Sequence, residues 1–230
     1  GVAVELLELE SEQASIDAFA ASDPHRHITG RLAPHMHPSR FAFFAIPGGD
    51  VPLTWHEVTV LQLLTHTSGI PDFEEILGYG AYRTPTTAPQ LIAVAAAKPM
   101  DFAPGAQWHY SNTGYYLLGL IIEKVSGAPY VTLIEKRILE PAGMARTRSS
   151  VPTEIIAGRA SGYALEERRI VNRDAIQPTA VGGAGDLVST TGDLVKWNAM
   201  LDAQSVLASE SYARLWPNQL THPRPSHVAH

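Results

Sequence analysis

The chain has 230 residues, of which 45% are hydrophobic and 17% charged, a composition typical of a globular protein and not of a disordered one. A net charge of −6 argues against a general nucleic-acid binder, which would carry a basic face. The lack of cysteine excludes disulfide scaffolds, cysteine-ligated zinc and thiol catalysis, and it leaves the cellular compartment open. The longest apolar stretch, Tyr115–Ile122, is too short to span a bilayer.

The sequence divides into three regions that differ in composition and in hydrophobic pattern. Residues 1–50 form a divergent N-terminal segment, with an amphipathic helix predicted over Val4–Ala21 and an irregular stretch rich in Pro and His after it. Residues 51–202 are better organised and form the predicted core. Residues 203–230 are expected to hold one terminal helix, Ser209–Trp216, followed by an irregular Pro- and His-rich tail.

Start and stop signals predict that the core is mostly helical. The Thr54 to Glu57 spacing is typical of a capping box and predicts a helix that ends at Gly69. The Thr87 to Gln90 spacing repeats this signature. The further predicted helices are Leu91–Lys98, Asn112–Val125 closed by Gly127, Tyr130–Leu139, and one capped near Thr191 that runs through Leu201. Short β segments are predicted around Gly162–Leu165 and Arg169–Val171.

Four segments, in their order and spacing, carry a family resemblance. They are Val58–Ile70, Phe102–Asn112, Gly114–Gly119 with its helix to Gly127, and Gly182–Thr190. Together they resemble the serine beta-lactamase, D-Ala-D-Ala peptidase and beta-lactamase-like esterase superfamily, over about Val51–Leu201. The resemblance implies an α/β (α+β) fold of the beta-lactamase/transpeptidase type, represented here mainly by its helical part with a reduced sheet.

The resemblance also implies acyl transfer on amide or ester bonds. In this family a serine forms an acyl-enzyme with the substrate, assisted by the lysine of a Ser-x-x-Lys motif and by the tyrosine of a Tyr-x-Asn loop. Tyr110 and Asn112 match that loop, so Tyr110 is the expected proton shuttle, and Asn112 is expected to bind the substrate and the catalytic lysine. The expected partner is a small acyl substrate (a β-lactam, peptide or ester), and no cofactor or resident metal is expected.

Two elements of that chemistry have no match in this sequence. No serine has a lysine three residues later, and the nearest match, Ser211–Arg214, ends in arginine. No Lys/His-Thr/Ser-Gly triplet follows residue 190 either. An unperturbed tyrosine has a pKa near 10, so only about one phenol in a thousand is ionised at pH 7. The nucleophile is therefore unassigned, and we expect a truncated or rearranged homologue that is weakly active or inactive.

Several other interpretations stay open at this stage. The chain could be a non-catalytic binding or interaction protein that keeps the family groove. Tyr110 and Asn112 could be structural, with Asn112 as a helix N-cap, and His66 could form a helix cap or a core hydrogen bond. The glycines of Gly182–Gly185 are expected to form a tight turn and not a phosphate cradle, because no Lys-Ser/Thr follows them.

Two further hypotheses concern the ends of the chain. The histidines could share a zinc or nickel ion, at His25, His27, His35, His37, His222, His227 and His230. The Pro-, His- and Arg-rich stretches also fit translation of GC-rich DNA out of frame, which reading the encoding DNA in three frames would test. Because so little sheet is predicted, we expect exposed apolar surface and self-association.

Overall fold

The computed structural model describes residues 51–150, 154–173 and 176–217. The predicted helix Val4–Ala21, the irregular Pro- and His-rich segments and the seven histidines proposed as metal ligands lie outside these residues. Within them, no group of three or more His, Asp or Glu side chains could hold a metal ion.

The described part is mostly helical. In chain order its α-helices are α1 Val60–Leu64, α2 Phe73–Leu77, α3 Ala88–Ala96, α4 Asn112–Ser126, α5 Tyr130–Ile134, α6 Pro178–Val181, α7 Thr191–Ala203 and α8 Ser209–Leu215. Short 3-10 turns lie at Leu53–Glu57, Tyr79–Arg83 and Gly182–Ala184, and α5 continues as a π-helical turn, Glu135–Leu139. The predicted helices from Thr87 onwards are all present, with ends that differ by a few residues.

Strands form two small antiparallel pairs in the part of the chain that the structure describes. They are β1 Arg148–Ser149, β2 Tyr163–Glu166, β3 Arg169–Asn172 and β4 Leu187–Val188. β1 pairs with β4, and β2 pairs with β3 in a hairpin. The hairpin turn has positive φ at Glu167 and Arg168, the backbone that a two-residue turn between twisted strands requires. The two predicted β segments are confirmed as this hairpin.

Helix α4 is the centre of the core. Ser111 caps its N-terminus by accepting the Gly114 N–H. Gly127 ends it with a left-handed φ of 67°, and this end is the one that the sequence predicts. One side of α4 packs with Trp55, Val58 and Leu63 in a buried cluster. Tyr116, on another side, packs in a second cluster that also contains Phe73, Tyr82, Leu91, Ala180 and Val181. The helix that carries Asn112 is thus fixed from both sides.

The glycine turn after α6 is explained by its close approach to α4. A Cβ atom on Gly183 would lie 2.8 Å from the Tyr115 carbonyl oxygen and 3.0 Å from Gly119 Cα. Real Cβ atoms do not approach backbone this closely, so only glycine fits the contact. The segment then turns into β4 through Gly182–Ala184, which confirms the tight turn that the sequence predicts.

The predicted start of the first core helix is wrong. Leu53–Glu57 forms a 3-10 turn, and Val58 and Thr59 are extended, so no helix runs through them. The capping box forms instead between Thr59 and Gln62, with Thr59 N donating to Gln62 Oε1 at 2.8 Å and Gln62 N donating to Thr59 Oγ1 at 3.3 Å. Thr59 is the N-cap of α1 and therefore has non-helical backbone, so the helix cannot begin earlier in the chain. The helix ends at Leu64 and not at Gly69, since His66 has a left-handed φ of 57°.

A third cluster joins the end of α5 to α7. It contains Ile138, Leu139, Met144 and Met200. These residues line an open apolar cavity of about 430 Å³ together with Trp197 and several neighbours. Neither Tyr110 nor Asn112 lines this cavity.

No single helix in the described residues is long and apolar enough to cross a membrane. Helices α4 and α5 with its π-helical turn reach that length and hydropathy only together, with a bend of 79° between them.

The hairpin carries the exposed apolar surface that the sequence predicts. Tyr163, Leu165 and Ile170 are all largely exposed on it. We expect the chain to self-associate through this surface, so that light scattering gives a mass above the 24.9 kDa of one chain. Replacing Leu165 and Ile170 together by Lys is expected to reduce that mass. A monodisperse monomer of the unchanged chain would contradict this expectation.

Candidate functional site

Two loops that lie side by side build the site around Tyr110. The loop after α1 receives three backbone hydrogen bonds from the loop before α4, including Gly105 N to the Thr67 carbonyl at 2.8 Å and His109 N to the His66 carbonyl at 2.9 Å. Gly69 is essential to this fit because its φ is +75° and a Cβ there would lie 2.1 Å from the Phe102 carbonyl oxygen. These two loops, which belong to two of the four segments that carry the family resemblance, are therefore in direct contact.

Ser111 and His66 fix the start of α4 within this site. The Ser111 N–H donates to His66 Nδ1 at 3.1 Å, and Ser111 Oγ accepts from the Gly114 N–H at 3.2 Å. Ser111 is thus the N-cap, whereas the alternative that gives this role to Asn112 is wrong. The hydrogen bond from Ser111 to His66 is structural, as in the interpretation that gave His66 a cap or core hydrogen bond and no catalytic role.

Asn112 is held by four hydrogen bonds. Its backbone N–H donates to Asp72 Oδ2 at 3.0 Å, and its side-chain Nδ2 donates to Asp72 Oδ2 at 3.1 Å and to Glu74 Oε2 at 2.7 Å. Its Oδ1 accepts from the Tyr110 hydroxyl at 3.1 Å. Tyr82 completes the network by donating to Glu74 Oε2 at 2.7 Å. The structure therefore brings Tyr110 and Asn112 together, with two carboxylates behind them.

These surroundings oppose ionisation of the Tyr110 phenol. Partial burial raises the pKa of Tyr110 above its ordinary value of 10.0, and the nearby Asp72 and Glu74 carboxylates raise it further. A phenol that acts as a base needs the opposite, a nearby positive charge that lowers its pKa. Within the described residues, the charged groups that shift this pKa are both carboxylates.

His66 packs its ring between two tyrosines. Its ring centroid lies 4.6 Å from that of Tyr110 and 5.0 Å from that of Tyr115. Burial lowers the pKa of His66 below its ordinary value of 6.5, an effect that the Asp72 carboxylate partly offsets. A neutral His66 is also what the hydrogen bond requires, because Nδ1 must be unprotonated to accept the Ser111 N–H.

This arrangement predicts loss of stability in mild acid. Since the folded pKa of His66 is lowered, its contribution is fully present above pH 6.5 and is lost as the pH falls through the folded pKa. The His66→Asn variant keeps an acceptor oxygen near the Nδ1 position, tolerates a left-handed φ and does not titrate. Urea unfolding at several pH values between 7.5 and 5 should therefore show a shallower decline for His66→Asn. Equal slopes for the two proteins would contradict this role.

Sequence reasoning missed Asp72, Glu74 and Tyr82. Asp72 had one visible signal, because an Asp followed three residues later by Glu75 is typical of a helix N-terminus. In the structure Asp72 does cap α2, by accepting the Glu74 N–H at 3.0 Å. Glu74 and Tyr82 had none, since their contacts with each other and with Asn112 depend on how α2 folds back onto α4.

The comparisons with known proteins match this architecture. The family model described as Beta-lactamase matches residues 49–228. Penicillin-binding protein 4* of Bacillus subtilis is 31% identical over 170 residues, which cover 67% of this chain and 38% of that protein. The D-alanyl-D-alanine-carboxypeptidase/endopeptidase AmpH of Escherichia coli is 32% identical over 181 residues, covering 74% of this chain and 42% of that protein.

A solved structure supports the same fold. The D-stereospecific amidohydrolase from a Streptomyces species superimposes with a TM-score of 0.64 at 29% identity, over 77% of this chain and 57% of that one. The helix-rich body with small sheets is therefore the reduced form of the beta-lactamase/transpeptidase fold that the sequence predicts. With the family model, the two relatives and the fold in agreement, the chain belongs to the beta-lactamase family of serine hydrolase homologues.

Proposed function

We propose that this 230-residue chain is a beta-lactamase-family homologue that keeps the Tyr110–Asn112 loop and is weakly active or inactive in acyl transfer. The observation that carries the proposal is the environment of the Tyr110 hydroxyl, which keeps the phenol protonated. Its hydroxyl donates to Asn112 Oδ1, and burial and the carboxylates of Asp72 and Glu74 favour the protonated phenol. Such a phenol is a poor base.

The sequence also lacks the family's motif for an activated nucleophile. The 230 residues contain no Ser-x-x-Lys, and the hydrogen-bonded serine of the loop, Ser111, uses its Oγ as the N-cap of α4. Acyl transfer needs an activated nucleophile, and the loss of nucleophile and activating group together costs several orders of magnitude in rate. Substrate binding can survive this loss, because binding and chemistry use different groups.

The chain spans about two fifths of the length of the curated relatives described above. The activity of a whole protein of this family, on a small acyl compound such as a β-lactam, a peptide or an ester, is therefore part of the proposal. The names of the relatives support that class of substrate, since they include a D-alanyl-D-alanine carboxypeptidase and a D-stereospecific amidohydrolase.

Turnover assays test the proposal. We expect no measurable hydrolysis of a chromogenic β-lactam or of a short-chain p-nitrophenyl ester by the 230-residue chain, and no change on replacing Tyr110 by Phe. The Phe variant is the matched control, because it keeps the ring against His66 and removes only the hydroxyl. Clear hydrolysis that the Tyr110→Phe change abolishes would overturn the proposal and imply a nucleophile that the sequence does not reveal.

A second candidate is a non-catalytic binding protein that keeps the family groove. One observation favours it: Tyr110 is 51% exposed although its hydroxyl and its ring are both held in place. An ordered, half-exposed polar side chain is suited to recognising a ligand, since little side-chain entropy is lost on binding. Saturable binding without a covalent adduct would distinguish this function from catalysis.

A further inference from the structure

The side-chain amide of Asn112 has a chemically fixed orientation. Both hydrogens of its Nδ2 are used, one by Asp72 Oδ2 and one by Glu74 Oε2. An ionised carboxylate can only accept hydrogen bonds, so a reversed amide would place the Asn112 oxygen against two acceptors. Asn112 Oδ1 therefore faces Tyr110.

The carboxylates are themselves held in place. Asp72 accepts the backbone N–H groups of Asn112 and Glu74, and Glu74 accepts the Tyr82 hydroxyl. Asp72 is buried, with 4% of its surface exposed. Because both oxygens of Asp72 and the Oε2 atom of Glu74 accept these hydrogen bonds, the two carboxylates fix the orientation of Asn112.

The orientation of Asn112 determines what Tyr110 can offer. Asn112 Oδ1 is an acceptor, so the hydrogen bond between the two side chains requires the Tyr110 hydroxyl to donate. The hydroxyl oxygen of this half-exposed tyrosine then has lone pairs and no hydrogen for a ligand. Asn112 likewise has no side-chain N–H left to donate to a substrate carbonyl.

We propose that Asp72 and Glu74 are positioning residues that make the Tyr110–Asn112 site a hydrogen-bond acceptor, which binds an N–H donor such as a primary ammonium group and not a carbonyl oxygen. This assignment rests on the second candidate function, the non-catalytic binding protein whose loop recognises a ligand. It departs from the substrate-binding role that the family resemblance implies for Asn112, because both side-chain N–H groups are already used and none is free for a substrate carbonyl.

Three small probes that differ in charge and in N–H donors test the assignment. The tyrosine rings are labelled with ¹³C at Cζ, and the Tyr110 resonance is identified by its absence in Tyr110→Phe. Ethylammonium is expected to shift this resonance saturably. Tetramethylammonium, which has the charge without an N–H, and N,N-dimethylacetamide, which has only an acceptor, are expected to leave it in place.

Variants of Glu74 separate positioning from charge. Glu74→Ala removes one of the two acceptors that orient Asn112 Nδ2 and should weaken ethylammonium binding about tenfold, the effect of losing one hydrogen bond. Glu74→Gln keeps an acceptor oxygen without the charge and should restore most of the affinity. Glu75→Ala is the matched control, since it removes the same charge from the same helix at an exposed position, and it should leave binding unchanged.

Three results would overturn the assignment: a shift with N,N-dimethylacetamide, equal shifts with both ammonium ions, or no shift with any probe. A failure of the proposed function is detected separately, because turnover or an acyl adduct would contradict that proposal whatever the probes do.

Discussion

Replacing Asp72 by Ala should lower the free energy of unfolding by about 3–5 kcal/mol, because it leaves buried donors without an acceptor. Those donors are the backbone N–H of Glu74, the backbone N–H of Asn112 and one hydrogen of Asn112 Nδ2. Each unsatisfied buried polar group costs about 1–3 kcal/mol. Urea unfolding followed by circular dichroism measures the effect.

The control for Asp72 is an acidic residue on the same helix. Glu75 has a side chain that is 60% exposed and lies 3.1 Å from His109 at the surface. Exposed polar contacts contribute little whether or not they are charged, so Glu75→Ala should change stability by less than about 1 kcal/mol. A loss for Asp72→Ala no larger than the loss for Glu75→Ala would show that the carboxylate network does not stabilise the fold.

Replacing Gly69 by Ala should have an effect of similar size, for a steric reason. The new Cβ would lie 2.1 Å from the Phe102 carbonyl oxygen, and the residue would also have to keep a φ of +75°. We expect a loss of about 3 kcal/mol or more, or failure to fold, because backbone cannot move aside as a flexible side chain can.

Gly127 provides the control for that variant. Its φ of 67° and ψ of 14° are left-handed, but a Cβ there would meet nothing within 4 Å. Gly127→Ala should therefore show only the cost of the left-handed backbone, about 1 kcal/mol. Equal losses for the two variants would contradict the close contact between the loops at Gly69 and Phe102.

Local signals in the sequence predicted much of the fold. The Thr87 to Gln90 capping box, the long helix α4 and its Gly127 cap are all confirmed, because each depends on contacts within a few residues. The Thr54 to Glu57 spacing failed because the capping box forms at Thr59 and Gln62 instead, which keeps Thr59 non-helical. Short helices such as α2 and α6 were missed, because four or five residues give too little periodicity to recognise.

The residues of the candidate site were also predicted only in part. The motif resemblance selected Tyr110 and Asn112, and their side chains are in fact hydrogen-bonded. The groups that determine their chemistry, Asp72 and Glu74, lie 38–40 residues earlier in the chain and reach Asn112 only through the tertiary fold. A spacing pattern along the sequence carries no information on such contacts.

We expect the chain to form no acyl-enzyme, and one measurement tests this most directly. The 230-residue chain is incubated with excess β-lactam, and its intact mass is measured by mass spectrometry before and after. We predict an unchanged mass, even where the β-lactam binds saturably. A mass increase equal to that of the β-lactam, located by peptide mapping on a serine, would contradict this expectation and show that the chain forms the covalent intermediate of its family.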